Sequence, residues 1–120
     1  MDNAADTPVF SDVQRDLLRI LGYLQLQHGH AGKAATIFDA LSATLPTDPL
    51  LALSHACALL RSGQPADALA TLEQPIFTNE HLTLAWLLRG QALSRLGRVA
   101  EAARAMRMFI RQRRADEAKA

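Results

Sequence analysis

The chain has one cysteine, Cys57, so no intramolecular disulfide can form, which fits a reducing cytoplasm better than a stapled secreted scaffold. Aromatic residues make up only 5% of the 120 residues. A nucleic-acid reader that stacks bases on aromatic platforms is therefore a poor fit. The formal net charge is +1, with no excess of either sign to draw the chain toward nucleic acid, a membrane surface or an acidic partner. Long apolar runs are also missing. His, Arg or Gln interrupts each within about ten residues, too short a span to cross a bilayer. The first ten residues carry Asp2 and Asp6 and no apolar stretch of the kind a secretory signal needs, so they are expected to be a flexible tail. No segment alternates with period two, which leaves no candidate strand.

What is present is Ala and Leu, within a hydrophobic content of 49%. Both are strong helix formers. They are also arranged with a long period. Gly29, Gly63 and Gly97 stand 34 residues apart, and so do Ala34, Ala68 and Ala102. A 34-residue period over three copies is that of the tetratricopeptide repeat, in which each unit is a helix, a tight turn and a second helix. The turn glycine supplies a left-handed conformation at little steric cost. The alanine five residues on lets two helix backbones approach.

The expected fold is thus an all-α solenoid of three helix pairs, six antiparallel helices with right-handed stacking. Its units fall at about 15–48, 49–82 and 83–116, within a domain at 11–116 flanked by tails at 1–10 and 117–120. Ser11 and Gln14 form a capping-box pattern for the first helix. Asp48 followed by Pro49 opens the third, Pro65 opens the fourth, Pro75 closes it, and Thr78 or Asn79 caps the fifth. Helices are predicted over 12–28, 31–44, 49–62, 65–73, 79–96 and 98–113. Gln25, His55 and Arg89 are polar where such repeats are usually apolar.

No catalytic, metal or cofactor pattern emerges. His28 and His30 flank Gly29 without further donors nearby. His55 and Cys57 are two apart on one helix, and side chains so spaced do not face each other. The arginines at 104, 107, 111, 113 and 114 are diluted by Glu101, Asp116 and Glu117 and read as a solvated helix. An enzyme is not indicated.

The informative surface is the inner face of the array, lined by the first helix of each pair. Repeat positions place Asp16, Arg19, Tyr23, Leu26 and Gln27 there from unit one, and Leu50, Leu53, Cys57, Leu60 and Arg61 from unit two. Leu84, Leu87, Gln91, Ser94 and Arg95 come from unit three. Its middle is expected to be an apolar docking groove for an amphipathic helix or an extended segment, with the rim charges fixing orientation. Repeat arrays usually end in an additional polar helix. With only Asp116 to Ala120 left, Met108, Phe109 and Ile110 form a second expected interface, for a partner or a second copy.

The run Leu21-Gly22-Tyr23-Leu24-Gln25-Leu26-Gln27-His28-Gly29-His30-Ala31, followed by Phe38-Asp39-Ala40-Leu41, resembles the YscY family of type III secretion chaperones. The resemblance implies a bacterial cytoplasmic chaperone that hydrolyses no ATP. It would bind a small YscX-type secreted protein and act with it at the export gate. Two rivals sit beside it: a chaperone of pore-forming translocators, which tends to be longer at its N-terminus, and a generic adaptor or self-associating scaffold. A clamp for a C-terminal carboxylate is excluded, because Arg19, Tyr23, Leu53, Cys57 and Leu87 stand where it needs Lys and Asn.

Overall fold

The computed structural model describes residues 10–119. The expected tail at 1–10 therefore lies outside the described residues except for Phe10, which packs against the core. Six helices follow in order: α1 (Asp12–Gln27), α2 (Ala31–Ser42), α3 (Pro49–Arg61), α4 (Pro65–Leu72), α5 (Asn79–Arg95) and α6 (Val99–Lys119). Each packs against the next, and α3 also packs against α5. No strand occurs among the described residues. The fold is an all-α solenoid of three helix pairs.

Local chemistry explains the boundaries. Ser11 Oγ accepts from the Gln14 N–H at 3.1 Å while the Ser11 N–H donates to Gln14 Oε1 at 2.9 Å, a complete capping box. Asp48 Oδ1 accepts from the Leu51 N–H at 3.1 Å, with Pro49 at the first helical position. Thr78 occupies the α5 N-cap without a side-chain cap bond. Within each pair the turn closes the same way. Gly29, Gly63 and Gly97 have φ of 81°, 79° and 75°. The next N–H, of His30, Gln64 or Arg98, reaches back to the carbonyl of Gln25, Leu59 or Leu93 at 2.7, 2.8 and 2.9 Å. This pairing satisfies a carbonyl that the helix end leaves open, and it needs the left-handed glycine to do so.

Five helices end within two residues of expectation. The sixth runs on to Lys119 instead of stopping near 113, so most of the expected tail at 117–120 is helical. Arg113 Nε donates to Glu117 Oε1 at 3.2 Å along the helix. Asp116 accepts from the Thr83 hydroxyl of α5 and from Gln112 Nε2. The end of α6 is thus tied to the start of α5.

Phe38, Leu41, Leu51 and Leu72 are the largest fully buried side chains. The small repeat residues Ala34, Ala68 and Ala102 are buried where paired helices meet. Helix α3 is central, with Leu51, Leu53, Leu59 and Leu60 all in the core. Each buried leucine contributes about 1.5–3 kcal/mol of transfer free energy.

Candidate protein-docking face

Helices α1, α3 and α5 present the inner face. On α3 its exposed or half-exposed residues are Leu50, Ser54, Cys57 and Arg61, spaced four, three and four apart along one side of the helix. The groove expected there is narrower than repeat positions implied. Leu53 and Leu60 are each 3% exposed and belong to the core. They lie on the α3 flank that the neighbouring helices cover, because α3 has packing partners on both sides. Leu50 is 50% exposed and Leu84 45%, and both stand open on this face. Tyr23, Gln27 and Gln91 are exposed, while Leu26 and Leu87 are half-buried.

Two contacts tie α1 to the start of α3. Arg19 Nη2 lies 2.6 Å from Asp48 Oδ2, and the hydroxyls of Tyr23 and Ser54 are 3.2 Å apart. Arg19, expected to orient a partner, is therefore engaged with the residue that caps α3. Burial alone would raise the Asp48 pKa. The hydrogen bonds from Arg19 and from the Leu51 N–H outweigh it and hold the carboxyl below its ordinary value. Arg95 donates to the Leu60 carbonyl, again engaged across helices. Arg61 has no ion pair among the described residues and faces solvent at the last turn of α3.

Helix α1 also carries an apolar stripe that repeat positions did not single out. Val13, Leu17, Ile20 and Leu24 are all exposed, with Leu21 beside them. Their spacing of four, three and four residues puts them on one side. Leu18, Gly22 and Leu26 occupy the opposite side, which meets the core. The signal was present in the sequence as a second apolar period within one helix. Of the three residues expected at a second interface on α6, Met108 and Phe109 are half-buried and Ile110 stands open, beside Arg107, Arg111 and Arg114.

Gln25 has a local explanation. Its Oε1 lies 2.8 Å from His30 Nδ1, so the polar residue closes the α1–α2 turn from the side-chain level. His30 is thus a turn residue. Among the described residues no group of three His, Cys, Asp or Glu side chains could hold a metal ion, and no helix is long and apolar enough to cross a membrane.

A tetratricopeptide repeat family model matches residues 53–118, more than half of the chain. The chain belongs to the tetratricopeptide repeat family, whose stacked helix pairs serve as protein-interaction modules. Among curated proteins none matches it.

Proposed function

We propose that this protein is a cytoplasmic type III secretion chaperone, without enzymatic activity, that holds a small YscX-type secreted component and helps deliver it to the export gate. The observation that carries this reading is the run from Leu21 to Ala31 with its Phe38-Asp39-Ala40-Leu41 continuation, which resembles the YscY family. The repeat fold is compatible with it. Leu50 and Leu84 stay open on the inner face, where an apolar helix of the partner would dock. Binding stabilises the folded complex in proportion to its affinity, and release requires only that the export machinery compete.

The test is co-expression with the YscX-type protein of the same organism, followed by size-exclusion chromatography with light scattering. A stable stoichiometric complex supports the reading. Two separate peaks remove it and leave a generic repeat adaptor or a translocator-class chaperone.

The exposed stripe Val13, Leu17, Ile20 and Leu24 favours a second reading, a scaffold that associates with itself. Light scattering on the isolated protein decides it: a mass independent of concentration and equal to one chain removes that reading.

A further inference from the structure

Equivalent repeat positions line two clefts, one walled by α2 and α4 over α3 and a later one between α5 and α6. The later cleft is served by a cation of its own. Arg89, on α5, lies 4.6 Å over the Trp86 ring, with Nη2 3.9 Å from Glu73 Oε2. A second carboxylate, Glu101, borders the same region and is bound by Arg98, whose Nη2 lies 2.5 Å from Glu101 Oε2.

The earlier cleft, between α2 and α4 over α3, keeps the acids and loses the cations. Asp39 stands one period before Glu73, and Asp67 one period before Glu101. His55 replaces the Arg89 position and Gln64 the Arg98 position. The cleft measures about 490 Å³, within the range of small-ligand sites, and opens to solvent. Asp39 and Asp67 line it and neither has an ion pair among the described residues. The three lining helices carry two cations, Lys33 and Arg61, and neither reaches the lining.

The floor adds an independent sign. His55 is 9% exposed, faces this cleft, and has no hydrogen-bond partner among the described residues. Its ring nitrogens are not fully enclosed, unlike His81 Nδ1 and Arg89 Nε, so the unpartnered ring stays reachable from the cleft it lines. Burial depresses the His55 pKa below the ordinary histidine value, against the pull of Asp39 and Asp67. The ring is therefore neutral at neutral pH and offers a nitrogen that accepts a hydrogen bond. Two unpaired carboxylates over one acceptor match a cation that donates several hydrogen bonds, and the set is not a metal cluster.

We propose that the cleft walled by Asp39 and Asp67 and floored by His55 binds the guanidinium or ammonium group of an arginine or lysine side chain from a partner protein. The intruding group takes the place that Arg89 fills from within the chain one repeat later. His55 and Leu59 leave α3 on the side roughly opposite Leu50 and Arg61. The site is thus separate from the inner face and does not rest on the secretion reading.

The probes are a blocked Ala-Ala-Arg-Ala-Ala peptide, butylguanidinium and a blocked Ala-Ala-Nle-Ala-Ala control, followed by the His55 ring resonance in NMR. The peptide should shift that resonance saturably, and the norleucine control should not. Asp39→Asn with Asp67→Asn, both at exposed positions, should weaken the peptide about tenfold. His55→Arg should abolish binding by filling the cleft from inside. No saturable shift, or an unchanged affinity in the double asparagine variant, overturns the proposal. Butylguanidinium binding as tightly as the peptide also overturns it, since the ligand is then a free small cation.

Discussion

Phe38 leaves no room for a side chain on Gly22: a Cβ built there would lie 2.5 Å from Phe38 Cε1. Phe38 is fully buried and meets the Tyr23 ring at 5.5 Å between centroids. It has no free direction in which to yield. Gly22→Ala should therefore destabilise the protein by about 1–2 kcal/mol, since overpacking outweighs the helix propensity gained. Gly90, two repeats later on α5 of the last helix pair, is the matched control. Its Cβ would meet Met106 Sδ, a flexible and partly exposed side chain. Gly90→Ala should be neutral or stabilising by up to about 1 kcal/mol. Urea denaturation of both variants reads the contrast, and equal effects would contradict it.

The inner face makes a second contrast. Leu50→Asp with Leu84→Asp changes open positions and should leave the thermal midpoint within a few degrees while weakening any partner that docks there. Leu53→Asp puts a charge into the core and should unfold the chain or cost more than about 3 kcal/mol. Circular dichroism melts separate the two.

Asp48 links acid stability to the join between α1 and α3. Its folded pKa is depressed, so its contribution is complete above the unfolded value near 3.9 and disappears as pH falls through the folded value. Asp48→Asn keeps a capping oxygen but not the charge. It should cost about 0.5–1 kcal/mol at neutral pH and flatten the acid limb of the stability curve. Asp48→Ala also removes the cap and should cost about 1–2 kcal/mol.

His55 acts in a higher pH window. Below about pH 6.5 the unfolded chain takes up a proton that the folded chain resists. Stability should therefore fall from that pH until the depressed folded value is passed. Asp39 on α2 and Asp67 on α4 pull in the opposite direction and limit the effect. In His55→Leu the slope in this window should shrink, as measured by denaturant midpoints across pH.

The features legible in the sequence were those enforced by backbone chemistry. Gly29, Gly63 and Gly97 must hold positive φ, and that necessity repeats with the fold. Asp48-Pro49 and Ser11-Gln14 announce helix starts because the caps are local. The errors came where distant chain segments decide. The extension of α6 is held in part by the Thr83–Asp116 contact, 33 residues apart. Repeat position points Leu53 and Leu60 into the groove, but α3 is covered on more than one side and takes them inward. Repeat positions describe one face of α1, and the stripe of Val13, Leu17, Ile20 and Leu24 lies on another. The likeness of the two clefts is not local either, since it rests on Arg89 meeting Glu73 across helices while His55, at the matching position, has no ion pair.

Neighbour-to-neighbour packing sets the order in which this molecule comes apart. Helix α3 supplies eight buried residues, whereas α1 supplies Gly22 alone and α6 supplies Ala102 and Ala105. Amide protons of α3 should outlast those of either outer helix in exchange experiments, with opening free energies that grade from the ends to the middle. Because nearly every packed pair is adjacent along the chain, the nucleus can form locally and zip outward, giving fast folding without a long loop to close. The outer helices should then open before the centre does, α1 once its Gly22–Phe38 fit and its Arg19–Asp48 tie to α3 give way.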